Sequence, residues 1–299
     1  MSGWILAAEG TAAGHRAALV LAVAAAFLHA LFGALQKGRT DPWTSRALID
    51  GALAAISLPV ALLVVPWPEG RVWLLLLGSV AIHFVYKVLQ AMTYDRGAFT
   101  VVYPVVRGTA PLFAVLGAGA LFGERFGAVQ WAGLGLLLAG LYGLSAHNVR
   151  RLEVGRATLL PALGFAVATG LGVALYTTWD AYGIRAAADP FTFLAWFFVL
   201  SSLDFPAIAL ARGWFRGGVL DRRAVGLGLV GAVVAWGSFG SIMLATRLDD
   251  VGEAAVLRET SVVFAALIGR VMLGERVGPR RLALMGLIAL GAVIVEAGG

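Results

Sequence analysis

Residues 107–125 read RGTAPLFAVLGAGALFGER, and residues 258–276 read RETSVVFAALIGRVMLGER. The two stretches are one pattern written twice, so Arg107 and Arg258 stand 151 residues apart. Each is apolar over roughly the 20 residues that a bilayer crossing needs. Each opens on an arginine and closes on Gly-Glu-Arg, as Gly123, Glu124 and Arg125 in the first copy and Gly274, Glu275 and Arg276 in the second. An arginine is therefore placed inside hydrocarbon twice, and the chain consists of two related halves.

The surrounding composition fits that reading. Of 299 residues 60% are hydrophobic and only 13% charged, with a mean hydropathy of +0.87. A soluble chain carries about 25% charged residues to cover its surface, whereas lipid tolerates an apolar exterior. With no cysteine, disulfides, thiolate chemistry and Cys-type metal sites are excluded, and no other metal or cofactor is expected. The charge of +6 points to lipid headgroups and membrane topology rather than nucleic acid, because arginines of such chains lie mostly in loops.

Apolar runs fall near residues 17–36, 44–65, 71–93, 98–121 and 128–147, and again near 157–180, 190–211, 223–245, 251–273 and 279–297. These predict an all-α integral membrane protein of ten transmembrane helices, with a first repeat over 1–147, a polar linker over 148–156 and a second repeat over 157–299. Glu9 and the lack of a basic start argue against a cleavable signal at residues 1–15. Five helices per half is an odd number, so the second half enters the membrane inverted. Inverted repeats place a pseudo-twofold axis in the membrane plane, put the substrate site at the midplane and permit alternating access.

Polar residues inside spans are the candidate site. On the third span His83, Tyr86, Lys87, Gln90 and Tyr94 recur at helical spacing and share one face. A lysine at the bilayer centre costs about 2.5–3.5 kcal/mol, so that face must look inward. An interhelical hydrogen-bond network would satisfy it. The corresponding positions of the second half, however, are Val234, Gly237, Ser238, Ser241 and Ala245. Structural needs should be common to both repeats, and one asymmetric substrate binds one-sidedly, so the face is expected to be a cavity wall.

The fourth span adds Tyr103, Pro104, Arg107 and Pro111. Proline lacks an N–H, so Pro104 and Pro111 predict a loosened helix beside the charge, either lining a cavity or forming a simple kink. The ninth span has Arg258 followed by Glu259 and no proline, with Glu259 displaced about 100° around the helix. Two arginines can clamp a carboxylate or phosphate. Alternatively they pair with Asp50, Asp180, Asp204 or Glu259 and lock the halves together. Glu259, Asp50 and His83 are the candidates for a group that exchanges protons with a gradient.

Small residues Gly135, Ala139 and Gly143 form a stripe at four-residue spacing, expected to bring neighbouring helices close. The glutamates of the Gly-Glu-Arg turns are expected to cap the helix that follows. The aromatics between Tyr176 and Phe198 read as belt and packing. Tyr176 and Trp236 lie deeper, where stacking on a substrate is the alternative to lipid packing.

The Gly-Glu-Arg turns, the glycine-rich stretches WAGLGLLLAGLYGL (131–144) and LALMGLIALGAVIV (282–295), and VLRETSVVFAAL (256–267) resemble the drug/metabolite transporter superfamily. The resemblance is to its ten-helix members built from two EamA domains. It implies a secondary transporter of a small molecule in the cell inner membrane, without fixing the substrate. Basic residues on helices four and nine hold the anion in sugar-phosphate translocators of the superfamily, and Arg107 and Arg258 fall on similar helices.

The positive residues favour a small carboxylate-bearing or zwitterionic metabolite, amino-acid-like, exported in exchange for protons. An exporter of organic cations using Glu259, Asp50 or Asp180 with the aromatics is the alternative. Asp180 with Asp204, or Ser238 with His83, would be the pairs for an intramembrane enzyme, but the flanking motifs of such enzymes are missing and no catalytic residue is expected. Charge places five Lys/Arg in loops on the side of the termini and fourteen on the other. The positive-inside rule therefore puts both termini outside, whereas ten-helix relatives keep theirs in the cytoplasm.

Overall fold

A computed structural model describes residues 2–36, 42–97, 99–150, 156–215, 222–273 and 278–299. The described residues form helices and connections, with no strand among them. In chain order the helices are α1 (Gly3–Ala8), α2 (Ala12–Gln36), α3 (Pro42–Leu63), α4 (Arg71–Arg96), α5 (Phe99–Phe122), α6 (Ala128–Val149) and α7 (Arg156–Ala186). They continue as α8 (Pro190–Ser201), α9 (Asp204–Arg212), α10 (Arg222–Leu248), α11 (Val251–Arg258), α12 (Ser261–Leu273) and α13 (Pro279–Ala297).

Every one of the ten expected spans is helical. Among the described residues, eight helical stretches are long and apolar enough to cross a membrane, one of them Pro190–Arg212, which joins α8 and α9. The ninth span is divided into α11 and α12, and the tenth is the 19-residue α13, which carries Arg280, Arg281 and Glu296 near its ends. The chain is thus an all-α membrane protein of two inverted repeats, with α1 as an additional short helix that the apolar pattern did not mark. Of the expected linker, residues 151–155 lie outside the described residues, as do Gly274, Glu275 and Arg276.

Two compact units are present, and each takes residues from both halves of the sequence. The first comprises Met1–Phe84 and Trp179–Leu248, the second Val85–Thr178 and Asp249–Gly299. In the first, α10 packs on α2 and α3, and α3 packs on α8 and α9. Trp43 stacks on Phe205 at 5.8 Å over the buried Ala47 and Ala209.

In the second unit α13 lies against α6, and α5 against α6 and α11. A Cβ on Gly133 would stand 2.8 Å from the carbonyl oxygen of Gly291, and one on Gly291 would stand 2.6 Å from that of Gly133. Lipid gives helices no hydrophobic reason to associate, so this backbone-to-backbone approach supplies the packing. The small-residue stripe therefore differs from the expected one. Gly135 has nothing within 4 Å of its would-be Cβ, and of the expected set only Gly143 packs, against Leu284. Gly133 and Gly135 are separated by about 200° around the helix, so the packed and exposed faces carry glycines alike and spacing alone does not tell them apart.

Candidate functional site

Arg107 sits in the middle of α5 and is only 5% exposed. Its Nε donates to the hydroxyl of Tyr103, one turn earlier, at 3.1 Å. Nη1 donates to Glu259 Oε1 at 3.1 Å and Nη2 to Ser261 Oγ at 3.2 Å. The ring of Tyr103 also lies under the guanidinium, 5.3 Å from its centroid. Of the partners open to the arginines on sequence grounds, Arg107 has taken Glu259.

Those partners stand where the ninth span breaks. Glu259 and Thr260 separate α11 from α12. There the backbone bonds shorten to the three-residue type: Glu259 N–H to Val256 O, Thr260 N–H to Leu257 O, Val262 N–H to Glu259 O and Val263 N–H to Thr260 O, at 2.9–3.1 Å. Thr260 Oγ1 also donates to Leu257 O at 2.7 Å. α5 runs continuously through Pro104 and Pro111, each of which withholds an N–H from the helix, while the break in the related span falls in a segment with no proline. A tightened turn keeps the backbone groups satisfied by i−3 bonds, while Arg107 holds the side chains on both sides of it.

The far end of α11 is fixed as well. Gly123 takes a left-handed φ of +74° after α5, a conformation that suits glycine. Glu124 then presents both carboxylate oxygens to the start of α11, accepting from Val251 N–H and Gly252 N–H at 2.9 Å each. The glutamate caps a helix, as expected, but α11 of the other repeat rather than the following α6. Gln130, in α6, donates to Glu253 of α11 at 2.6 Å. α11 is thus an eight-residue rod, about 12 Å long, clamped at its N-terminus and carrying Arg258 at its last position.

Arg258 is 4% exposed and Glu259 0%. Arg258 Nη2 reaches Thr177 Oγ1 at 3.4 Å, and its guanidinium lies 5.9 Å from the Tyr176 ring centroid. Tyr176 meets Tyr86 edge-on at 4.9 Å, and the Tyr86 hydroxyl accepts from Gln90 Nε2 at 2.7 Å. Two polar atoms are left over: Arg258 Nε and Glu259 Oε2 are buried with no hydrogen-bond partner among the described residues. Buried donors and acceptors are paired in the large majority of cases, and leaving one unpaired costs about 1–3 kcal/mol. Here a free donor and a free acceptor of opposite charge sit on consecutive residues.

The second unit therefore holds Tyr86, Lys87, Gln90, Tyr103, Arg107, Tyr176, Arg258 and Glu259 of the expected site; Lys87 is 4% exposed. His83, Trp236 and Asp50 belong to the first. His83 Nε2 lies 2.7 Å from Asp180 Oδ2, Trp236 packs on Phe198 at 5.7 Å, and Asp50 is paired with Arg46 Nε at 2.9 Å. Ser238 Oγ donates to Ala25 O, and Asp204 accepts from Phe205 N–H. Sequence reading missed Ser261, Thr177 and the cap of Glu124 on α11. Ser261 stands within the repeated VLRETSVV segment, but a lone hydroxyl in an apolar run carries no signal of its partner.

The sequence profile of the EamA-like transporter family matches twice, over residues 16–146 and 160–296. No curated protein sequence matches the chain. A solved crystal structure, described only as that of a protein, is similar with a TM-score of 0.76 and 19% identity, over 93% of this chain and 96% of its own. At that identity the likeness concerns the fold. With the profile covering both halves of a duplicated, all-helical membrane chain, the protein belongs to the EamA-like transporter family.

Proposed function

We propose that this transporter moves a small carboxylate-bearing or zwitterionic metabolite, amino-acid-like in its charges, across the cell inner membrane by alternating access of its two repeats, 1–147 and 157–299. The observation that carries the reading is the pair of unpartnered atoms on Arg258 and Glu259. A ligand carboxylate would accept from Arg258 Nε and the neighbouring amino group of the guanidinium, the paired geometry that arginine offers. A ligand ammonium would donate to Glu259 Oε2. Arg107 holds Glu259 in place through the other carboxylate oxygen, and Tyr86, Gln90 and Tyr176 form the wall next to Arg258. Lys87 adds positive field.

Glu259 is also the coupling group in this account. A proton and a substrate ammonium compete for the same oxygen, so proton entry releases the substrate, which is the logic of proton-driven export. Asp50 is the weaker candidate because Arg46 already neutralises it. Export of organic cations is the second reading, favoured by the Tyr86–Tyr176 pair and by a buried carboxylate oxygen of Glu259 with no partner among the described residues.

Proteoliposomes loaded in turn with amino acids, simple carboxylates and quaternary amines test the proposal, with efflux followed under an imposed pH gradient. Efflux of an amino acid or carboxylate that Arg258→Ala abolishes supports the proposal. Efflux of amines alone, kept in Arg258→Ala and lost in Glu259→Gln, replaces it with the cation reading.

A further inference from the structure

Two helices change unit within their length. α4 does so after Phe84 and α7 before Trp179. Next to both changes lies a buried couple that the substrate site does not use: His83 Nε2 and Asp180 Oδ2, 2.7 Å apart, with side chains each 4% exposed. Both residues belong to the first unit. Ser79 Oγ donates to the second carboxylate oxygen at 2.6 Å, and Trp179 Nε1 donates to Leu75 O at 3.0 Å. A Cβ on Gly78 would collide with the Trp179 ring. The two helices are thus bound closely to each other within the first unit, where α4 ends its part of that unit and α7 begins its own.

The related positions of the other repeat carry different side chains. The 151-residue offset relates His83 to Val234 and Asp180 to His29. The related crossing, of α2 with α10, lies wholly in the first unit and is closed by Ser238 Oγ donating to Ala25 O at 3.0 Å and by Leu28 against Gly237. Of the two crossings, only that of the helices shared between the units joins a carboxylate to an imidazole.

The groups facing His83 make its charge consequential. α7 presents Asp180, α8 presents Phe197 at 4.9 Å and α10 presents Phe239 at 6.3 Å, both edge-on, while Lys87 follows one turn later on α4 itself. With a proton on the imidazole the couple is an ion pair of zero net charge, joined by a charge-assisted bond. Without that proton, one carboxylate charge is left buried beside a neutral imidazole and the Ser79 hydroxyl. That state favours separation of the helices and hydration of Asp180.

We propose that His83 and Asp180 form a proton-binding site, separate from Glu259: a proton held by the couple locks α4 to α7, and its release frees the two helices to move apart. Only the consequence for transport rests on the alternating-access reading. Proton binding and its link to conformation are tested on the protein without substrate.

The chain has four histidines and no cysteine, which makes both measurements direct. Full-length protein labelled with ¹⁵N in its imidazoles is titrated in lipid nanodiscs from pH 5 to 9, with the His83 signal identified by its loss in His83→Gln. In parallel, spin labels on Leu74→Cys and Tyr182→Cys, at exposed positions of α4 and α7, report the distance distribution over the same range. The expected result is that His83 titrates in wild type, and that the distribution shifts over the same pH interval and loses this dependence in His83→Gln. Asp180→Asn should abolish the shift too and serves as the variant if His83→Gln does not fold. An imidazole that does not titrate, a distribution that is the same at every pH, or a shift that persists in the variants overturns the proposal.

Discussion

Arg107 and Glu259, 152 residues apart in sequence, meet through Nη1 and Oε1 at 3.1 Å, with side chains 6% and 0% exposed. The contact joins an unbroken helix containing two prolines to the proline-free turn at which the related helix breaks. Removing one partner of a buried pair leaves the other charge uncompensated, at a cost of about 3–5 kcal/mol. Arg107→Met and Glu259→Leu should each destabilise by that amount, and the double variant by clearly less than the sum. Denaturant unfolding of all four proteins in a double-mutant cycle checks it.

Glu124 should contribute to stability through α11 rather than through its own turn. Glu124→Ala strips both acceptors from Val251 N–H and Gly252 N–H, a loss of roughly 1–3 kcal/mol. Glu124→Gln keeps one acceptor and should lose less. Thermal unfolding of the two variants beside wild type decides the order.

The crossing of α6 with α13 gives a contrast between a packed and an unpacked glycine. Gly291→Ala would bring its Cβ to 2.6 Å from Gly133 O and should cost on the order of 1–3 kcal/mol. Gly135→Ala meets open space and should be neutral or stabilising by up to about 1 kcal/mol. Equal effects in an unfolding assay would contradict the assigned packing face.

Loop charge predicts that Gly299 lies outside the cytoplasm. A reporter fused after Gly299 that is active only when exported should be active, and a cytoplasmic reporter at the same place silent. The opposite result would align the chain with its ten-helix relatives.

The repeat marks the two arginines, the span count and the family in the residues alone, because lipid imposes length and apolarity on every helix that crosses it. The break at Glu259 is not legible there: neither proline nor glycine marks it, and the side chains around it are held by Arg107 from another helix. His83 and Asp180 both stand out as polar residues within apolar spans, but their pairing across 97 positions depends on how α4 crosses α7. The two units escape a linear reading for the same reason, since each is assembled from both halves.

The central claim is that Arg258 and Glu259 receive the two charges of a small metabolite. It is tested most directly by thermal unfolding of the purified protein against carboxylates, amino acids, phosphorylated metabolites and quaternary amines, in wild type and in Arg258→Ala. Arg258 is the informative position because its Nε has no partner among the described residues to lose. The account predicts that an amino acid or carboxylate raises the unfolding temperature of wild type, and that affinity falls about 10- to 100-fold in the variant. Stabilisation by quaternary amines alone, undiminished in Arg258→Ala, would contradict it.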